Sequence, residues 1–228
     1  MLSGFSLYTA SVWILPVLVA ITFHEAAHAF AARYLGDDTA SRLGRVSLNP
    51  FKHIDLFGTV ILPGVLILSQ APFIFGYAKP VPVDFAALRN PRADMAWVAL
   101  AGPATNIVLA ILAALSFHLV GLAPAAAAQW IFDTLKNALV INAVLAVFNM
   151  FPLPPLDGGR IAVSILPDIV ARPLARLEPY GLLILITLII LAPILGSQLG
   201  TNLDYVSQAI NGATRFVIRI VLLVTNNT

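Results

Sequence analysis

Hydrophobic residues run along this chain in blocks that are too long for the elements of a soluble domain. Four blocks reach the roughly 20 residues that a helix needs to cross a hydrocarbon core. They predict membrane-spanning helices at about residues 5–34, 93–120, 128–151 and 180–199. The polar stretches between them are too short for a second folded domain. We therefore expect a multi-pass helical membrane protein whose core extends over residues 1–199.

Residues 56–78 form a further apolar stretch, but its glycines and prolines do not suit a simple span. If the stretch enters the membrane and returns, ten of the 13 basic residues collect on one side. If it crosses, they divide more evenly. Cytoplasmic loops are enriched in Lys and Arg, so the charge pattern favours a re-entrant segment and an outside N-terminus. Within it, residues 73–77 predict a short strand, to whose edge an extended peptide can add.

The last stretch, residues 200–228, alternates polar and apolar positions with helical spacing. Its polar face consists of Asp204, Gln208, Asn211, Arg215 and Arg219. Two arginines inside a span are costly, so we predict an amphipathic helix lying in the membrane interface. The predicted fold is an all-α polytopic membrane protein with about four full transmembrane helices, a re-entrant helix/strand element and this C-terminal amphipathic helix.

The composition agrees with a membrane protein. Of the 228 residues, 59% are hydrophobic and 11% are charged, whereas soluble domains carry about 25% charged residues. The 13 basic and 11 acidic residues leave an excess too small for nucleic-acid binding. Cysteine is absent, which excludes disulfides and thiolate metal sites. The first residues carry no basic group, so we expect no cleaved secretory signal.

The first predicted span contains a metal-binding pattern. His24 and His28, the histidine pair, lie on one face of a helix, and Glu25 beside the first can act as general base on a metal-activated water. The simpler alternative is a pair of buried, hydrogen-bonded histidines without metal. Ionisable groups are expensive inside a membrane and are normally retained there for function. The pattern therefore predicts hydrolytic chemistry within the bilayer.

Zinc held by two histidines needs a third protein ligand. Glu178 is the only other glutamate, and His118 lies at the far end of its predicted span, so His53, Asp55 and Asp157 remain. Asp157 follows a span that runs parallel to the first, which places it at the depth of the histidine pair. Prolines before it end the helix, and glycines after it permit a tight turn. We expect the other two candidates to order a loop.

With these residues the chain resembles the site-2 proteases, which are intramembrane zinc metalloproteases. Their signature joins the helix pattern seen at His24–His28 to an Asn-x-x-Pro…Leu-Asp-Gly pattern, seen here at residues 149–158. Residues 101–106 resemble the middle core helix of the family, and the similarity covers about residues 20–160. The chain is similar to the compact prokaryotic subgroup without PDZ or CBS domains. It departs from that subgroup at Leu56, where a proline is expected.

The resemblance implies a role for each site residue. His24, His28 and Asp157 would bind one zinc ion per chain, Glu25 would be the general base, and Asn149 would stabilise the oxyanion. The substrate would be a transmembrane protein or peptide, met among membrane lipids in the prokaryotic cytoplasmic membrane, and no nucleic acid is expected.

The sequence leaves two rival functions open. A membrane metal-ion transporter also carries His and Asp inside its spans, but it does not explain Glu25. A catalytically inactive relative that only binds transmembrane segments does not explain why Glu25, Asn149 and all three ligands are retained.

Overall fold

The computed structural model describes residues 7–61, Val65 and 79–227, and the regular structure of this part is entirely helical. The predicted strand at 73–77 lies outside the described residues. The α-helices are α1 (Leu7–Tyr34), α2 (Thr39–Arg42), α3 (Pro91–Ser116), α4 (Ala125–Asn149), α5 (Asp157–Ile165), α6 (Asp168–Ala175), α7 (Gly181–Ile186), α8 (Ala192–Gln198) and α9 (Tyr205–Val224). Short 3₁₀ or π-helical turns lie at Pro50–Lys52, Leu56–Ile61, Phe85–Ala87, Phe117–Leu122, Glu178–Tyr180 and Thr187–Leu191.

Five helical stretches in the described part are long and apolar enough to cross a membrane. They are Leu7–Tyr34, Pro91–Leu122, Ala125–Asn149, Glu178–Gln198 and Tyr205–Val224. The first four correspond to the four predicted spans, so the prediction of a polytopic helical membrane protein is confirmed. The fifth is the C-terminal helix.

Helices α1, α3 and α4 form the centre of the bundle. The Tyr8 hydroxyl donates to Asp133 at 2.6 Å, and the Asn137 amide donates to the Val12 carbonyl at 3.1 Å. These contacts join the starts of α1 and α4, which therefore run in the same direction, as the sequence predicts. Helix α3 runs between them in the opposite direction. Small side chains such as Ala20 on α1 are fully buried in the contacts, because small residues let membrane helices approach closely.

The end of the bundle where α1 stops and α3 begins is called the inner end here. The amide of Lys79 donates to the carbonyl of His53 at 3.0 Å, and Arg45 donates to the carbonyl of Lys79 at 2.8 Å. The stretch between residues 53 and 79 therefore begins and ends at the inner end, as a re-entrant segment requires. Its full course stays a prediction, since residues 62–64 and 66–78 lie outside the described residues.

Helix α9 packs lengthwise on α3 and α4. Near the start of α9, Ala209 shares a groove with Met150, which lies at the inner end. Near its other end, the Asn227 amide donates to the Ala114 carbonyl at 2.8 Å, and His118 Nε2 lies 2.7 Å from the Thr225 carbonyl oxygen. Helix α9 is therefore parallel to α3.

The amphipathic character predicted for the C-terminal helix is seen in its packing. Thr214 and Val221 are buried against the bundle, whereas Arg215 and Arg219 are exposed. Its interfacial location is not tested by length or composition. A helix that lies lengthwise along a spanning helix is better placed to cross the membrane with it.

Asp37 connects the end of α1 to the chain that returns after residue 79. Its carboxylate accepts one hydrogen bond from the amide of Thr39 and one from the amide of Asp84, each at 2.8 Å. Burial by itself raises the pKa of Asp37, but the hydrogen bonds from Thr39 and Asp84 hold this pKa below its usual range. The charged carboxylate therefore stabilises the fold at neutral pH, and this contribution is lost as the pH falls through the lowered pKa.

We predict that Asp37→Asn lowers the unfolding temperature. The two backbone N–H groups donate to different oxygens of Asp37, and in asparagine one of these oxygens is replaced by an NH₂ group, which cannot accept. The expected loss is about 1–3 kcal/mol in the free energy of unfolding. Thermal unfolding in detergent measures it. Asp38→Asn is the matched control, since Asp38 is adjacent, exposed and makes no side-chain cap bond. Equal unfolding temperatures for the two variants would contradict the role given to Asp37.

Candidate active site

The histidine pair is buried on α1, and both rings are oriented by oxygen atoms of α3. His24 Nδ1 lies 2.6 Å from Asn106 Oδ1, and His28 Nδ1 lies 2.7 Å from the carbonyl oxygen of Val98. The Val98 oxygen can only accept, and Asn106 Oδ1 is assigned as an acceptor because its Nδ2 donates elsewhere. Each Nδ1 therefore carries a hydrogen, and each Nε2 presents a lone pair.

The two Nε2 atoms and one oxygen of Asp157 converge. The Nε2 atoms are 3.0 Å apart, and they lie 3.3 and 3.4 Å from Asp157 Oδ2. Asp157 Oδ2 is buried and has no hydrogen-bond donor within the described residues. Tetrahedral zinc with bonds of 2.0–2.2 Å keeps its ligand atoms about 3.3–3.6 Å apart. Both separations between a histidine and Asp157 lie in this range, and the separation of the two Nε2 atoms is slightly shorter. His24, His28 and Asp157 are thus a group that could hold a metal ion, and their spacing and chemistry suit zinc.

Asp157 owes its position to a tightly folded connection between α4 and α5. It is the first residue of α5, where the helix dipole favours a negative charge. A Cβ on Gly158 would lie 2.2 Å from the Met150 carbonyl oxygen, and one on Gly159 would lie 2.1 Å from the nitrogen of Pro154. Neither glycine has a positive φ. The sequence suggested glycines for a tight turn, but here they allow the backbone of the connection to pass directly over α5.

Gly102, on the α3 side of the site, also has no room for a side chain. A Cβ at this position would lie 2.5 Å from His28 Nε2 and 2.6 Å from His24 Cε1. Both distances are too short for any side chain. The absence of a side chain at Gly102 therefore lets α3 contact the histidine pair itself.

Glu25 lies next to the histidine pair and is half-buried. Its Oε2 accepts a hydrogen bond from the backbone N–H of Val81 at 2.8 Å. Pro80 and Pro82 have no backbone N–H, so Val81 carries the single main-chain donor of this tripeptide. The role of residues 80–82 rests on a backbone group, which no pattern of side chains reveals.

A cavity of about 600 Å³ adjoins these residues. Most of its wall is apolar and comes from α1, α3, α4, residues 80–85 and the stretch Leu182–Ile190. Its polar lining consists of His24, Glu25, His28, Asn149, Asp157 and Arg160. The volume lies within the range of about 300–1,000 Å³ that is typical of ligand sites.

The structure places Asn149 on the wall of this cavity, at the end of α4. One N–H of its amide donates to the Leu145 carbonyl at 3.0 Å, which leaves the second N–H for another partner. Its predicted role in stabilising the oxyanion stays a prediction.

The other ligand candidates contact different parts of the chain. His53 Nε2 lies 2.7 Å from the Ser47 carbonyl oxygen, Asp55 accepts from the amide of Gly58, and His118 contacts α9. In the described part of the chain, none of them joins the group around the histidine pair. These local contacts match the expectation that His53 and Asp55 order a loop.

Asn106 orients His24 and links three helices. It is fully buried, and while Oδ1 faces His24, its Nδ2 donates to Asn142 Oδ1 at 2.8 Å. Asn142 in turn donates to the Ala138 carbonyl. A hydrogen-bonded row thus connects α1, α3 and α4 and fixes the ring of His24. The signal in the sequence was an asparagine inside an apolar span, but its partner could not be read there.

We predict that Asn106→Leu weakens zinc binding about 10- to 100-fold, the usual effect of losing the residue that orients a metal-bound histidine. Competition with a fluorescent chelator measures the affinity. Asn137→Leu makes the same chemical change between α1 and α4 but far from the histidines, so it is the control. An unchanged affinity in Asn106→Leu would mean that helix packing alone orients His24.

A bundle of membrane-spanning helices that encloses two histidines, an aspartate and a glutamate defines a class of protein, the intramembrane metal-dependent hydrolases. Comparison with known sequences agrees. The profile of peptidase family M50 matches residues 12–122 and 116–193. The chain therefore belongs to peptidase family M50, the site-2 proteases, as the sequence motifs indicated.

Curated relatives carry the same assignment. "Putative zinc metalloprotease YwhC" of Bacillus subtilis (strain 168) is 36% identical over 181 residues, which are 78% of this chain and 79% of the relative. "Putative zinc metalloprotease Rip2" of Mycolicibacterium smegmatis is 33% identical over 180 residues, 76% of this chain and 64% of the relative. The protein named Rip2 in Mycobacterium tuberculosis H37Rv is 30% identical over 178 residues, 78% of this chain and 66% of the relative. No solved structure matches the chain at a significant level.

These findings confirm four predictions: the family, an integral membrane location, a zinc metalloprotease activity and a zinc cofactor. They support neither a metal-ion transporter nor an inactive relative. Membrane-protein substrates and a lipid environment follow from the family.

Proposed function

We propose that this protease binds one zinc ion through His24, His28 and Asp157 and cuts peptide bonds within or near transmembrane segments. Its cellular location would be the prokaryotic cytoplasmic membrane. One observation carries this proposal: two Nε2 lone pairs and an unpartnered carboxylate oxygen converge in a cavity that Glu25 also lines. Ligands and general base then share one site, within a bundle of apolar helices.

The chain's own residues supply the proton transfers. Zinc, when bound, supplies Lewis-acid chemistry that polarises the scissile carbonyl and acidifies water. Glu25 takes a proton from the attacking water and then delivers it to the leaving amine. Because Val81 holds Oε2 of Glu25, Oε1 is the oxygen left for the proton. The free N–H of Asn149 donates to the oxyanion that forms at the substrate carbonyl.

The cavity indicates what kind of segment is cut. Its largely apolar wall suits apolar side chains, as transmembrane segments carry. In an intact helix the scissile carbonyl is hydrogen-bonded and shielded by the side chains around it, in a cylinder about 10–12 Å wide. The substrate helix must therefore unwind locally before Glu25 and the metal ligands can reach a peptide bond.

The decisive test compares the wild type with Glu25→Gln, both purified and assayed for zinc and for cleavage of a panel of single-span substrates. We expect equal zinc content, because this substitution leaves the three ligands untouched, and a rate about 10²- to 10⁴-fold lower, the usual contribution of a general base. Asp38→Asn is the control for loss of a carboxylate, because Asp38 is exposed and makes no side-chain cap bond. Zinc flux without proteolysis would favour a transporter, and absence of cleavage by a zinc-loaded wild type would favour an inactive relative.

A further inference from the structure

A row of polar side chains runs along the exposed face of α9. This polar stripe consists of Gln208, Asn211, Arg215 and Arg219. Within the described part of the chain, neither arginine has a hydrogen bond or an ion pair. The opposite face of α9 packs on the bundle through Thr214 and Val221. The polar stripe therefore faces away from the protein.

If α9 crosses the membrane, the exposure of these arginines to lipid costs free energy, because they lie deep in the bilayer. Ala213 and Val217, on either side of Arg215, line one groove with Pro103 and Ala104, which lie at the middle of α3. Arg215 thus lies on the outer surface of the bundle, at a depth close to the middle of the membrane-spanning helices. Half of a hydrocarbon core is about 15 Å thick, more than an arginine side chain can reach. Charged residues at such a depth are normally paired or face protein rather than lipid.

A second copy of this chain does not supply the missing partner. In a dimer about an axis along the membrane normal, Arg215 would meet Arg215 at equal depth, and like charges repel. Arg219 would meet a like charge in the same way. The chain has 11 acidic residues. Glu25 and Asp157 are inside the active site, Asp133 is bound by Tyr8, and the rest lie outside the central part of the spans. None of them is an exposed acid at the depth of Arg215.

The surface beside the arginines suits a helix. A groove of about 510 Å³ adjoins both of them, and apolar side chains such as Ile218 and Leu222 form its floor. Polar side chains form hydrogen bonds across helix–helix contacts in membranes, and small or apolar neighbours supply the packing. Gln208 and Asn211 extend the polar stripe by two more turns of α9.

We propose that α9 crosses the membrane with the bundle and that its polar stripe docks a transmembrane helix of another protein, one that carries an Asp or Glu near the middle of its span. The carboxylate pairs with Arg215 and Arg219, and the apolar side chains of the partner cover the groove. The proposal does not depend on the protease activity, because α9 contributes no residue to the catalytic cavity.

Fluorescence transfer in nanodiscs tests the proposal with a designed probe. The probe is a Leu/Ala transmembrane peptide with one central Glu, and the matched peptides carry Gln or Leu at that position. The protein is the full chain, either wild type or with Arg215→Leu and Arg219→Leu together. Zinc content verifies that the double variant is folded. Binding of the peptides in the catalytic cavity is common to both proteins and cancels in the comparison.

We expect the Glu peptide to bind the wild type about five- to tenfold more tightly than the Gln peptide, the size of effect that polar contacts between membrane helices produce. This preference should disappear in the double leucine variant and persist when both arginines become lysine. Equal binding of all three peptides would overturn the proposal. Dimerisation of the wild type through α9 would also overturn it. So would a peptide affinity that depends on the content of anionic phospholipid and not on the glutamate of the peptide.

Discussion

Asp157→Asn is expected to leave the enzyme without zinc at ordinary concentrations and therefore without activity. Structural zinc sites with four ligands bind with about 10–16 kcal/mol, which corresponds to about 2.5–4 kcal/mol for each ligand. Loss of the only anionic ligand should then weaken binding about 10²- to 10³-fold. Asparagine has nearly the same volume as aspartate, so the packing beside Gly158 and Gly159 should persist.

Metal analysis after equilibrium with a chelator of known affinity measures the loss. Asp168→Asn is the control, because Asp168 is exposed and pairs with Arg92 of α3 and with Arg172 of its own helix, α6. If Asp157→Asn bound zinc as tightly as the wild type, Asp157 would not be the third ligand. Recovery of activity at high zinc concentration would show that Asp157 acts mainly by holding the metal.

Gly102→Ala is expected to be as damaging, although it adds one methyl group. That methyl would lie within 2.6 Å of both rings of the histidine pair. Either the rings rotate away, which breaks the contacts of His24 with Asn106 and of His28 with Val98, or α3 moves away from α1. In both cases the Nε2 atoms no longer meet Asp157, so we expect neither bound zinc nor cleavage.

Zinc content and substrate cleavage measured on the same preparation verify this expectation. Gly121→Ala is the control, because a Cβ there meets nothing within 4 Å. The unfolding temperature of Gly102→Ala separates local damage from loss of the fold. A Gly102→Ala variant with full zinc and full activity would contradict the packing of α3 against the histidine pair.

Most of the helical layout could be predicted from the sequence because long apolar blocks leave a membrane chain few alternatives. The same holds for His24, Glu25 and His28, whose spacing within one helix fixes their relative positions. Asp157 could be added because the predicted direction of α4 set its depth. In each case, local periodicity or helix direction carried the information.

Other features depended on contacts that a sequence does not display. Asn106 became part of the site only when α3 was placed against α1 with a particular rotation. The packing of the C-terminal helix was also not readable: its arginines predicted an interfacial helix, and the structure adds its lengthwise contacts with α3 and α4. Such information lies in the rotation and pairing of helices, and a single sequence records neither.

The hydrogen bond between Val81 and Glu25 has a consequence for how this enzyme tolerates mutation. Its donor is a main-chain N–H, which every amino acid except proline possesses. Substitutions at residue 81 can change the side chain that faces the cavity and leave the support of Glu25 in place. Variation in the cavity wall at this position is thus separated from the orientation of Glu25. Substitution of residue 81 during evolution can change which substrate segments are accepted while the general base stays in place.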